Sequence, residues 1–179
     1  MSEKLETEIK LRMENAEGAR AAVRALGARL VRERHFEDNL LLDDPKGSLA
    51  LSGKALRLRR AGGAAVLTFK GPRQGTVALK SRPEIEAAIP DPDTFEAILG
   101  GLGYRKVFRY QKYRETYAWK DVEIVVDETP VGTFLEIEGE ESAIHEAARA
   151  LGRGPADYLT ASYSTLFFAT GATGDMVFP

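Results

Sequence analysis

Apolar and polar residues alternate with period two along much of this chain, broken by a few stretches of helical spacing. In residues 5–11, Leu5, Ile9 and Leu11 fall on one side of an extended strand with Thr7 among them, and Glu6, Glu8 and Lys10 fall on the other. Residues 15–27 place Ala16, Ala19, Ala22, Val23 and Leu26 at helical spacing and close on Gly27, as an amphipathic helix with a left-handed cap does. Residues 30–43 read as extended. Asp44-Pro45-Lys46-Gly47 is a turn cluster before a segment that runs to Lys54.

Residues 55–60 and 65–70 flank Ala61-Gly62-Gly63-Ala64, which predicts a two-residue hairpin because Gly accepts the positive φ of a type I′ turn. That turn puts Arg57 opposite Thr68 and Arg59 opposite Val66, with Lys70 on the same face. Residues 82–89 are extended, with Arg82, Glu84 and Glu86 on one side. Asp91 then caps a helix with Pro92 at its first position and a stripe of Phe95, Ile98, Leu99 and Leu102. A long extended segment, 104–119, returns through Lys120-Asp121 into 122–127. If that loop has two residues, Arg114 lies opposite Asp127 and Lys112 points the same way. Residues 134–138 repeat the alternation of the first strand, with Glu136 and Glu138 on one side. Ile144, Ala147, Ala148 and Leu151 stripe another helix, residues 152–155 break it, and 162–169 form a last short helix.

Composition narrows the function classes. The 179 residues predict one domain spanning 1–179, and 44% hydrophobic with 29% charged residues is a globular composition. The formal charge of −2 gives no global attraction to nucleic acid or to an anionic membrane, so an anionic ligand has to be held locally. Cysteine is absent, which excludes disulfides, thiolate metal sites and a Cys nucleophile. The apolar runs are too short for a membrane span and residues 1–12 are charged, so the expected location is the cytoplasm.

The charged faces collect equal numbers of bases and acids, and nearly every candidate strand sets its charges on one side with apolar residues on the other. Periodicity alone leaves two readings. In one, an open antiparallel sheet has a solvated face whose cross-strand ion pairs do no chemistry. In the other, the sheet curls into a barrel and the charges line a lumen, where they need water, ions or a charged ligand. Glu carboxylates are hard oxygen donors suited to Mg²⁺ or Mn²⁺, while Lys and Arg neutralise phosphate. A metal and bases together bind a triphosphate.

At this point the chain resembles the CYTH family, the triphosphate tunnel metalloenzymes, over residues 2–169. Its E-x-E-x-K signature is Glu6-Thr7-Glu8-Ile9-Lys10 here, and five further blocks follow in order: Ala55-Leu56-Arg57-Leu58-Arg59, Leu67-Thr68-Phe69-Lys70-Gly71, Arg82-Pro83-Glu84-Ile85-Glu86, Tyr110-Gln111-Lys112-Tyr113-Arg114, and residues 127–138. The resemblance implies an α+β fold, an eight-stranded antiparallel closed barrel with helices packed outside. It further implies Mg²⁺ or Mn²⁺ on Glu6, Glu8, Glu136 and Glu138, with Asp127 holding metal or orienting Arg114. Lys10, Arg57, Arg59, Lys70, Lys112 and Arg114 correspond to triphosphate-binding bases, and Glu8, Lys10 and Glu138 to the catalytic groups. Glu84 and Glu86 either pair with lumen bases or touch metal or water. One departure is Glu37-Asp38-Asn39-Leu40-Leu41-Leu42-Asp43, where the family's second strand often has an aromatic residue after an Asp.

The remaining motifs carry less. His35 and His145 have no metal-ligand spacing and read as surface or packing histidines. Gly71-Pro72-Arg73-Gln74-Gly75 lacks the Gly-Lys-Ser/Thr ending of a phosphate loop and reads as a tunnel-mouth loop. Tyr110, Tyr113, Tyr117 and Trp119 read as core aromatics on the face opposite the bases. The expected activity is metal-dependent hydrolysis of a triphosphate, inorganic triphosphate first. The rival is an adenylate cyclase converting ATP to cyclic AMP and pyrophosphate, and a third class is a polyphosphate-binding module without turnover. The expected partner is a small triphosphate, and family habit implies a homodimer.

Overall fold

A computed structural model describes residues 4–74 and 79–179, so the loop expected between Gly71 and Lys80 lies partly outside the described residues. Eight strands are present: β1 (Lys4–Met13), β2 (Arg29–Asp43), β3 (Ala55–Ala61), β4 (Ala64–Lys70), β5 (Lys80–Ile89), β6 (Arg105–Trp119), β7 (Val122–Thr129) and β8 (Gly132–Gly139). They close into an antiparallel barrel in the order β1-β5-β4-β3-β2-β6-β7-β8, with β8 pairing back onto β1. Closure removes both sheet edges and gives every strand an inner and an outer face.

Both expected hairpin registers are observed. Gly62 and Gly63 have φ of 58° and 81°, and Arg57 faces Thr68 while Arg59 faces Val66. The Lys120-Asp121 turn also has two residues, with Lys120 at φ 49°, and Arg114 faces Asp127. β2 and β6 are longer and less regular, with register shifts between Leu30 and Arg32, Arg32 and His35, and Leu41 and Leu42. The segment expected to run to Lys54 contains a one-turn helix, α2 (Ser48–Leu51), whose first amides, Leu49 and Ala50, donate to the Asp43 carboxylate.

The apolar core lies outside the barrel. Helices α1 (Ala16–Ala25) and α4 (Glu141–Ala150) bury Ala19, Val23, Ile144, Ala147 and Ala148 against Ile9, Leu11, Ile124, Val126, Leu135 and Ile137. A second cluster packs Phe167 of α5 (Tyr163–Phe168) and Met176 on Phe108 and Phe134. α3 (Pro92–Gly101) departs from expectation: none of its residues is buried, and Ile98 and Leu102 are 51% and 70% exposed. Only Leu99 of its stripe leans on the cluster of Leu40, Leu42 and Leu58. Among the described residues no helix is long and apolar enough to cross a membrane.

Candidate active site

The inner faces enclose a cavity of about 1280 Å³, and every charged residue expected on the ionic face lines it except Asp127. The strand register explains the convergence. Glu6, Glu8 and Lys10 share one face of β1, and β8 places Glu138 opposite Glu8 and Glu136 opposite Lys10. β5 sets Glu84 beside Lys70 of β4 and Glu86 beside Thr68.

The lumen bases fall into two groups. Lys10, Lys70, Lys112 and Arg114 are clamped by carboxylates: Lys10 by Glu136 at 2.8 Å, Lys70 by Glu6 and Glu84 at 2.7 and 2.6 Å, and Lys112 by Asp127 at 2.8 Å. Arg114 takes both oxygens of Asp127 at 2.7 and 2.6 Å and also bonds Glu136. Arg57 and Arg59 are held loosely. Their nearest carboxylates are Glu86 at 3.4 Å from Arg57, and Glu37 and Glu86 at 3.8 Å from Arg59. Burial and the adjacent Arg57 lower the pKa of Arg59, whereas burial opposes the charge on Lys10 but Glu136 and Glu8 outweigh it and raise it. Arg57 is also opposed by burial, but Tyr110, Glu84 and Glu37 outweigh it and raise it, so Arg59 is the base of the cage whose charge is least compensated.

Asp127 is fully buried beneath the wall, and its oxygens accept from Lys112, Arg114 and the Tyr163 hydroxyl, the last at 2.8 Å. With both oxygens occupied by donors and none facing the cavity, the geometry supports orientation of Arg114 and not the metal-ligand role. Burial opposes ionisation of Glu136, yet Lys10, Arg114 and Lys112 hold it well below the usual carboxylate range.

Several lumen residues escaped the sequence reading. Glu37, 1% exposed, sits 3.7 Å from Lys112 and 3.8 Å from Arg59, and those bases outweigh its burial to hold its pKa low. Asn39, fully buried, pairs in register with Arg59 and Tyr110. Tyr110 packs in the cluster of Phe108, Phe134 and Tyr163, as expected of a core aromatic, but on the lumen face with Lys112 and Arg114 and not opposite them, as their even spacing demands, so that it also lines the cavity. Tyr117 and Trp119 do pack under α1 and α4. Tyr113 packs on Phe36 and Phe178 instead. His145 packs on Tyr158, while His35 backs onto Glu37, with Nε2 3.4 Å from its Oε1.

The residues assigned to a metal offer only carboxylate oxygens, the donors that Mg²⁺ and Mn²⁺ prefer. Glu8 and Glu138 face each other across β1 and β8. Glu6 and Glu84 share a side-chain hydrogen bond, and burial together with Glu6 pushes Glu84 up to about 8 while Glu6 is lowered. Two carboxylates brought this close are donors that a hard cation suits. Among the described residues no three acidic or histidine side chains converge as a ready metal cluster, since Glu6 and Glu136 turn onto Lys70, Lys10 and Arg114.

Comparison with known proteins adds independent findings. A family model described as CYTH domain matches residues 4–163. Adenylate cyclase CyaB of Aeromonas hydrophila is 28% identical over 176 residues, covering 91% of this chain and 88% of that protein. A Methanocaldococcus jannaschii protein named as a candidate adenylate cyclase is 29% identical over 148 residues, 82% of this chain and 83% of its own. The solved structure of a Pyrococcus horikoshii protein superposes with a TM-score of 0.76 at 30% identity, over 92% of this chain and 99% of that one.

Proposed function

Because the chain belongs to the CYTH family, a family of triphosphate-processing enzymes, we propose that it is a divalent-metal-dependent hydrolase whose substrate is inorganic triphosphate. The observation that carries this reading is the Arg57–Arg59 pair, held by carboxylates no nearer than 3.4 Å inside a lumen where the other bases are clamped. A second observation concerns the other end of a nucleotide. Tyr110 and Tyr163 are the aromatic residues lining the cavity among the described residues, and both rings are engaged. The Lys10 and Lys112 ammonium groups lie 5.0 and 5.2 Å from the Tyr163 centroid, and Tyr110 stacks on Phe108. Each ring therefore already has a partner that a stacking base would have to compete with or avoid.

Arg57 and Arg59 grip phosphate oxygens from β3 while Lys70, Lys112 and Arg114 close on the chain from the remaining strands. Glu6, Glu8, Glu136 and Glu138 would hold Mg²⁺ or Mn²⁺, which would supply neutralisation of phosphate charge and polarisation of the phosphorus centre. Glu8 and Glu138, opposite one another, orient the attacking water and take its proton. Lys10, next to both Glu8 and Glu136, neutralises charge gathering on the departing oxygen. One water adds, one P–O–P bond breaks, and phosphate and pyrophosphate leave.

The second reading is ATP cyclisation, favoured by the names of the relatives that are 28–29% identical over most of both chains. The two separate when the protein is incubated with Mg²⁺ or Mn²⁺ and, in parallel, triphosphate, thiamine triphosphate and ATP, with products resolved by ion-exchange chromatography. Phosphate release from triphosphate is the expected result, and cyclic AMP with pyrophosphate overturns it. Glu8→Gln abolishes turnover with the fold retained on circular dichroism; full activity in that variant removes Glu8 from the metal set.

A further inference from the structure

We propose that Glu37 is a positioning residue of the lumen, a built-in counter-anion that holds Arg59 and Lys112 in the empty cage and yields them to phosphate, so that it limits how tightly substrate and pyrophosphate are retained. This rests on the triphosphatase reading and deepens it.

Glu37 stands apart from the other acids of the barrel. Glu6, Glu84, Glu136 and Asp127 each lie within 2.8 Å of a lumen base. Glu37, although 1% exposed, comes no nearer to a lysine or arginine than 3.7 Å. Its Oε1 lies 3.4 Å from His35 Nε2, and its buried Oε2 has no hydrogen-bond partner. A buried carboxylate so poorly bonded is costly to keep charged. Burial does oppose its charge, and Lys112, Arg114, Arg59 and Arg57 together outweigh that penalty. Glu37 is thus held by the summed charge of the bases and not by bonds to any one of them.

Its place in the register gives it that reach. Glu37 sits opposite Lys112 of β6 and, on its other side, opposite Ala61 of β3, two residues beyond Arg59. Its oxygens therefore divide between strands, Oε2 toward Lys112 at 3.7 Å and Oε1 toward Arg59 at 3.8 Å. Leu41, on the same face of β2, lines the cavity, whereas Glu37 is not part of the lining. The carboxylate meets a ligand only through the bases in front of it. Asn39, in register with Arg59 and fully buried, leaves both ends of its amide unpaired, so it does not tie the guanidinium to this wall either.

The chemistry fixes the sign of the effect. Phosphate oxygens make short, charge-assisted bonds to guanidinium and ammonium groups, and a carboxylate standing 3.7–3.8 Å away does not block them. Its charge stays behind the bases in a low-dielectric wall and offsets part of their attraction for any anion. The penalty is uniform: it falls on triphosphate and pyrophosphate alike and leaves the reacting atoms untouched.

Calorimetric titration with triphosphate and with pyrophosphate in EDTA at pH 8, where hydrolysis does not intervene, reads this directly. Glu37→Gln is expected to bind both anions at least about tenfold more tightly than the parent, and Glu37→Asp, which keeps the charge, to stay within about threefold of it. With Mg²⁺ present, KM for triphosphate in Glu37→Gln falls by about tenfold, as removal of a group that opposes ground-state binding requires. Asn39→Asp, which adds a second carboxylate beside Arg59, weakens both anions and tests the same wall should Glu37→Gln not fold. A merely structural Glu37 predicts the reverse, weaker binding in Glu37→Gln as Arg59 and Lys112 lose their support. Weaker or unchanged anion binding in Glu37→Gln, or parent-like binding in Asn39→Asp, overturns the proposal. Absence of triphosphate binding by the parent overturns instead the function on which it rests.

Discussion

Arg59 and Asp127 show the two ways in which this lumen treats a charge. Arg59 is lowered by burial and by Arg57 and has no carboxylate nearer than 3.8 Å, so little of the fold leans on it. Arg59→Leu should raise KM for triphosphate by about tenfold, with unfolding stability changed by less than about 1 kcal/mol. Asp127 anchors Lys112, Arg114 and Tyr163 at zero exposure. Asp127→Asn should cost about 3 kcal/mol in urea unfolding, because it breaks a buried charge network. The reverse ranking of the two variants would place the arginine in the scaffold. Glu84 gives a pH signature in metal-free protein. Its pKa is raised by burial and Glu6 from 4.5 to about 8, so the folded state binds more protons than the unfolded one in that window. Its contribution is complete below about 4.5 and is lost as pH rises through about 8. Glu84→Gln should flatten the decline of the urea midpoint between pH 5 and 8, and parallel curves for the two proteins would refute the assignment.

At the scale of elements, α1 is docked by more than its apolar stripe. Arg20 bonds Glu115 of β6 at 2.7 Å and also Glu128 of β7, which Arg34 of β2 meets at 2.8 Å. Burial raises both glutamates, but Tyr117 and Arg20 at Glu115, and Arg34 and Arg20 at Glu128, outweigh it and lower them. Arg20→Met should cost about 1–2 kcal/mol at pH 7. Because a lowered carboxylate contributes fully above its unfolded pKa, the difference from the parent should shrink as pH falls below 4.5 and vanish once the pH is below the lowered folded-state values; a gap that stays constant through acid pH would point to lost packing alone. The same elements show what was legible in the sequence. Tight turns carried the β3–β4 and β6–β7 registers, so Arg57, Arg59, Lys70, Lys112 and Arg114 could be placed on one face from spacing. β2 was opaque because polar and apolar residues there run in blocks, Glu37-Asp38-Asn39 and then Leu40-Leu41-Leu42, so Glu37 and Asn39 escaped although their register is regular. Tyr110 packs in the core as read, but its parity with Lys112 places it on the lumen face. The apolar stripe of α3 was read correctly as a helix but does not reveal how little of it the barrel covers.

For the whole molecule, closure of the sheet turns an ambiguous charge pattern into a site. On an open sheet these pairs would be screened by water and contribute little. In a closed barrel each one is surrounded by others of both signs, and an anion with a divalent cation satisfies the set together. The outer faces, covered by α1 and α4, supply the apolar burial that lets the inner faces remain ionic. The most direct test is calorimetric titration of the intact chain with triphosphate and Mg²⁺, repeated on Arg57→Leu/Arg59→Leu. One equivalent should bind per chain, with the affinity of the double variant reduced by at least about 100-fold; unchanged affinity in that variant, or no binding by the parent, would contradict a lumen built to hold triphosphate.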